Sequence, residues 1–216
     1  MMAAEKEKRP QSRGEEIANT VSHGLGALLA LAGAAPLAAR GILSGSAKAG
    51  FSLTAYGASL VLLYTASAVY HGARNPEVKR RLRIMDHCSI FVLILGTYVP
   101  MSLLVVGGKT GWMLFLTNST LAAIGITLNA IDLKRFDKAS MALYALMGWL
   151  VVLAMRAIIA ALPPAGLALL VAGGVAYTVG IIFYKAKGKY MHFVWHLFVL
   201  AGSALQFFCI ARYCLP

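Results

Sequence analysis

Seven long apolar runs, at about 17–40, 51–73, 86–106, 112–131, 141–161, 165–184 and 191–212, alternate along the chain with short polar or helix-breaking segments. Each run has close to the ~20 residues that a helix needs to cross a hydrocarbon core. The breaks are Gly41 to Gly50, Arg74 to Arg83, Gly107 to Lys109, Asp132 to Lys138, the Pro163-Pro164 pair, and Lys185 to Lys189. Each is too polar, or too poor a helix former, to remain in lipid. Isolated strands would leave backbone groups unpaired there, so every span is expected to be helical. The pattern predicts an all-α membrane protein: a seven-transmembrane helix bundle over residues 15–216, preceded by a polar tail of residues 1–14. No internal repeat or low-complexity segment interrupts it.

Composition agrees and excludes other classes. Hydrophobic residues make up 59% of the chain and charged residues 13%, against about 45–50% and about 25% in soluble domains. So few charges cannot cover a water-facing surface, and the net charge of +12 does not signal a nucleic-acid partner. The tail is too polar for a secretory leader, and no small-residue cleavage site follows the first apolar run, which is expected to stay in the membrane. Cys88, Cys209 and Cys214 form no metal-type spacing and read as packing residues.

The basic residues set an orientation. With the N-terminus cytoplasmic, the outer side keeps only Arg40, Lys48, Lys109, Arg156 and Arg212 of the 20 Lys and Arg residues. By the positive-inside rule the N-terminus is expected to be cytoplasmic and the C-terminus extracytoplasmic. The basic loops read as topogenic charge in contact with anionic lipid. Protein partners have no signature in the sequence, so the expected partners are membrane lipids.

All eight acidic residues and all five histidines fall in the inner half of this arrangement. Ionisable side chains inside spans are costly and tend to face the bundle and mark a site. His192 and His196 are four apart, on one face of helix 7, a spacing that suits two ligands on one ion. His71, at the same depth on helix 2, is the natural third ligand for zinc, which in catalytic sites takes three protein ligands and keeps a fourth position for water. Asp86 or Ser67 is placed to serve that fourth position, and Ser67 shares a face of helix 2 with His71. Glu16, Asn19 and His23 fall on one stripe of helix 1 and read either as groups orienting the ligands or as the polar start of a membrane helix. His87 points about 100° away from Asp86 and reads as a packing or interfacial histidine.

The same residues carry a family likeness. EEIANTVSHGLGA on helix 1, SAVYH and MDHCSIFVLILGTYVP on helices 2 and 3, MGWL on helix 5, GGVAYTVGIIFY on helix 6 and HFVWHLFVLAGS on helix 7 resemble the bacterial hemolysin III family, within the progestin and adiponectin receptor superfamily. The likeness runs from Glu15 to the C-terminus. It implies seven helices with a cytoplasmic N-terminus, and one zinc ion held near the cytoplasmic face by His71, His192 and His196. It also implies that Asp86 orients a zinc-bound water and that Ser67 is the site serine. Eukaryotic members resemble zinc-dependent lipid amidases of the ceramidase type, and bacterial members are linked to membrane-lipid homeostasis. The chain lacks the long tail of the eukaryotic receptors.

Three functions are compatible with this reading. The first is an intramembrane zinc-dependent hydrolase of lipid amides or esters. The second is a non-enzymatic membrane sensor or signalling protein with structural zinc. The third, a pore-forming or cytolytic protein, is disfavoured because no polar stripe is expected to continue outward through helices 4, 5 and 6.

Overall fold

The computed structural model describes residues 9–215; most of the tail, with Glu5, Lys6, Glu7 and Lys8, lies outside the described residues, as does Pro216. Seven helices among them are long and apolar enough to cross a membrane: α1 (Arg13–Leu43), α2 (Ala47–Gly72), α3 (Pro76–Val106), α4 (Gly108–Asp132), α5 (Asp137–Ala161), α6 (Pro164–Lys185) and α7 (Met191–Tyr213). There is no strand among the described residues. Large apolar side chains point outward, Leu29 and Leu153 with more than two thirds of their surface exposed. Water would not support so many exposed apolar groups in one surface. The chain is a multi-pass integral membrane protein.

Several helices begin earlier than the apolar runs do. α3 starts at Pro76 rather than near 86, because Asn75 caps it: its side-chain oxygen accepts from the backbone N–H of Glu77 and Val78. Pro76 then occupies a first-turn position, where its missing N–H costs nothing. The Lys/Arg run that follows leaves the hydrocarbon without leaving the helix, since Lys and Arg are good helix formers. α1 starts at Arg13 through a capping box. The Ser12 hydroxyl accepts from the Glu15 N–H at 3.4 Å, while the Glu15 carboxylate accepts from the Ser12 N–H at 2.9 Å.

The connections are short (44–46, 73–75, 107, 133–136, 162–163 and 186–190), so neighbouring helices run antiparallel. The start of α1, the end of α2, and the starts of α3 and α7 therefore share one end of the bundle. Close approach of backbones holds these helices together. Gly57 of α2 lies over Ala34 of α1, where an added Cβ would meet the alanine Cβ at 2.8 Å. Gly26 of α1 leaves the same kind of space for Tyr64 and Leu200. α1, α2, α3 and α7 contribute Leu37, Leu53, Tyr56, Leu60, Leu93, Val199 and Ile210 to one core.

The interior of α4 is more polar than the sequence suggested. Asn118 and Asn129 are fully buried on its inward face. Asn129 is satisfied, accepting from the Ser140 hydroxyl at 2.6 Å, whereas neither polar atom of the Asn118 side chain has a hydrogen-bond partner among the described residues. The asparagines sit among Thr, Ser and Gly in a sequence of high mean hydropathy, which hides them from a window average. The three cysteines are free thiols; Cys209 and Cys214 are buried in the core, as packing residues would be.

Candidate metal centre

Two helices bring the histidines together. His71 lies in the last turn of α2, and His192 and His196 lie in the first two turns of α7. One nitrogen from each converges, and the three lie within 4.8 Å of one another. The His192 and His196 ring centroids are 4.7 Å apart, and that of His71 is 5.1 Å from each. No other group of three or more possible ligands converges among the described residues.

Hydrogen bonds set which nitrogen of each ring faces the centre. His71 Nδ1 is 2.8 Å from the Glu16 carboxylate, to which it donates. Its lone pair is then on Nε2, which is buried and has no partner among the described residues. The Ser22 hydroxyl has one proton and gives it to the Asn19 carbonyl at 2.9 Å. It can therefore only accept from His196 Nδ1, 3.2 Å away, and the lone pair of His196 is likewise on Nε2. An imidazole whose other nitrogen is tied to a carboxylate or hydroxyl is the usual form of a metal ligand. A tetrahedral ion with nitrogen ligands at ~2.0–2.1 Å asks for about 3.3 Å between them, so small inward ring movements would complete a three-histidine site. The orphaned Nε2 of His71 and the oriented tautomers fit a divalent cation.

The stripe on α1 meets the centre at three levels. Glu16 bonds His71 and is held by Lys79, whose ammonium lies 3.0 Å from its other oxygen. Lys79 also donates to the carbonyls of Tyr70, His71 and Ala73, closing the end of α2. The Asn19 amide lies 3.4 Å from His71 Nδ1 and donates to Gln11 at 2.7 Å. His23 makes no hydrogen bond to a described residue. It stacks on His196 with centroids 3.5 Å apart and planes 7° from parallel, and meets Tyr64 edge-on.

Asp86 on α3 lies outside the converging set. Its side chain is 13% exposed, so it is still within reach of water. It stands within electrostatic range of His71 and His192 and is approached by the side chains of Ser67 and His87. Ser67 is buried one turn before His71. His87 folds back toward Asp86, with 3.5 Å from Nδ1 to the carboxylate, and the same nitrogen donates to the Arg83 carbonyl at 2.9 Å.

Glu15 and Ser22 escaped the sequence reading. Glu15 is buried; besides capping α1 it takes Arg9 at 2.9 Å and the Tyr190 N–H at 2.8 Å. That hydrogen bond to Glu15 raises the Arg9 guanidinium above its ordinary pKa. Tyr190 has a φ of 59°, a left-handed conformation costly to a residue with a Cβ. The Glu15 contact holds it there, one residue before α7, and so places the turn that carries His192. The available signal was the Ser12-to-Glu15 capping spacing; nothing in the sequence joins Glu15 to Tyr190.

Comparison with known proteins adds an independent line. A family model described as haemolysin-III related matches residues 11–207. The chain is similar to Hemolysin-3 of Bacillus cereus, with 42% identity over 203 residues, covering 94% of this chain and 93% of that protein. It is 41% identical over 201 residues to the Hemolysin-3 homolog of Bacillus subtilis (strain 168), covering 93% and 94%. Over 174 residues it is 28% identical to the human monocyte to macrophage differentiation factor, covering 73% of this chain and 68% of that one.

Proposed function

The chain belongs to the haemolysin-III related family of multi-pass membrane proteins, within the progestin and adiponectin receptor superfamily, and from that premise we propose that it is a zinc-dependent hydrolase of lipid amides or esters. We place the centre on the cytoplasmic side of a bacterial inner membrane, with the N-terminus inside. A tag at the N-terminus that an external protease can cut in intact cells would refute this orientation.

The observation that carries the reading is the pair of fixed tautomers at His71 and His196, beside a carboxylate left out of the ligand set. His71, His192 and His196 would hold the zinc. When bound, zinc supplies Lewis acidity, lowering the pKa of a water from about 15.7 towards ~7 and polarising a carbonyl. Asp86 is the base: largely buried, with a small face still open to water and close to the histidines, it takes one proton from the attacking water. As the water oxygen bonds to the carbonyl carbon, the C–N or C–O bond breaks, and Asp86 returns the proton to the leaving nitrogen or oxygen. The products are a carboxylic acid, which ionises by releasing the water's second proton to solvent, and an amine or alcohol. Ser67, buried beside Asp86, gives its one proton to that carboxylate; once Asp86 is protonated, the hydroxyl is free to donate to the carbonyl oxygen as charge develops. Glu16, Ser22, Asn19 and His23 keep the imidazoles in place and take no part in the bond-making step.

Hydrolysis of a panel of lipid amides and esters by the zinc-loaded protein tests this directly. General-base catalysis is worth about 10²–10⁴-fold, so Asp86→Asn should lose at least about 100-fold in kcat while keeping its metal. A zinc-loaded wild type that cleaves nothing in the panel would overturn the reading and favour the alternative, a sensor in which zinc only ties α2 to α7.

A further inference from the structure

A cleft of about 530 Å³ opens beside the histidine cluster, between the first turns of α1 and the end of α2. Its inner wall includes Glu16 and His71, so it reaches the centre from the side. Its membrane-facing edge is formed by Ile17 and Val21, whose side chains are more than half exposed. Arg13, Arg74 and Lys79 also line it.

The three cations differ in what they have to do. Lys79 is committed to Glu16 and to three carbonyls of α2. Arg13 and Arg74 are exposed, and neither has a hydrogen-bond or ion-pair partner among the described residues. By contrast, Arg80 and Arg81 on the same end of the bundle are both paired with Glu77, at 2.9 and 3.3 Å. The cleft thus offers two unspent guanidiniums above an apolar edge that continues into lipid. Guanidinium forks match phosphate oxygens in pairs, and the volume falls within the ~300–1,000 Å³ range of ligand sites.

We propose that this cleft binds the phosphate-bearing head group of an anionic membrane lipid, with its acyl part along Ile17 and Val21. Arg13 and Arg74 select the phosphate, and the lipid so held lies next to His71. That such a lipid is also the class hydrolysed rests on the hydrolytic reading above; the binding does not.

The test uses the full chain in non-ionic detergent, both zinc-loaded and stripped with a chelator. The probes are dihexanoyl phosphatidic acid, dihexanoyl phosphatidylcholine, hexanoate and inorganic phosphate. Phosphatidic acid should bind at least about tenfold more tightly than the other three, with or without zinc. The Arg13→Gln/Arg74→Gln double variant should remove that preference, while Arg80→Gln/Arg81→Gln, which removes the same charge from the same face, should keep it. Gly72→Leu is a variant that leaves all charges in place. A Cβ there meets Thr20 at an ordinary 3.5 Å, so the larger side chain should fill the cleft and weaken phosphatidic acid binding.

Phosphatidic acid binding no better than phosphatidylcholine would overturn the proposal. So would equal losses in the two double variants, which would mean only a general basic surface, and so would equal binding of inorganic phosphate or hexanoate. A protein that binds phosphatidic acid as expected and hydrolyses nothing loses the hydrolytic reading and keeps the cleft. One that hydrolyses lipid amides but shows no head-group preference loses the cleft and keeps the hydrolysis.

Discussion

Ser22→Ala would take from His196 the only oxygen among the described residues that accepts from its Nδ1, freeing the ring to rotate and to change tautomer. Removing such an orienting partner typically costs about 10–100-fold in metal affinity, and we expect a loss of that size. A competition titration of zinc against a chromogenic chelator reads it. Saturating stoichiometry should not change, because Ser22 is not a ligand; an unaltered affinity would mean that the hydroxyl does not orient the ring. The histidines themselves were legible because a helix repeats its face every three to four residues, so His192 with His196, and Ser67 with His71, could be paired on paper. Ser22 was not legible: a serine in a membrane helix reads as small packing, and its partner is 174 residues away. Lys79 was read as a topogenic charge for the same reason, since its bond to Glu16 joins α3 to α1 and no local spacing announces it.

The start of α7 depends on a different helix. Glu15 accepts from Ser12, Arg9 and Tyr190, which makes one carboxylate responsible both for beginning α1 and for holding the left-handed residue that begins α7. Glu15→Ala leaves the Tyr190 N–H and the α1 cap without their acceptor. Hydrogen bonds to charged groups are worth about 1.5–3 kcal/mol each, so the variant should lose at least about 2 kcal/mol and melt several degrees lower in detergent. Zinc affinity should fall with it, because His192 is two residues beyond Tyr190. A variant that melts like the wild type would show that α7 starts there without Glu15. Helix existence was easy to read from the apolar runs, and helix starts were not. Hydrophobicity reports where lipid begins, whereas caps such as Ser12 and Asn75 decide where the helix begins, and between Pro76 and Arg83 the two are separated by a polar helical stretch.

At the scale of the whole molecule, seven antiparallel helices gather Glu16, Ser67, His71, Asp86, His192 and His196 at one end of the bundle. The opposite end carries no comparable group among the described residues. Helical periodicity and the order of the spans were enough to foresee that gathering. They could not show the buried Asn118 of α4, nor the stacking of His23 on His196, because neither follows from a repeat along the chain. The hydrolytic and sensing readings share one requirement, a cation held by α2 and α7, and they differ only in whether Asp86 then works on a lipid. A bound ion would also bind the native state over the unfolded one, and at 1,000 times its Kd it would add about 4 kcal/mol to stability.

Metal analysis of the purified protein beside a His192→Ala variant tests that shared requirement most directly. About one zinc per wild-type chain, and close to none in the variant, is the expected result. A wild type that stays empty after zinc loading, or a variant that holds as much zinc as the wild type, would contradict the account.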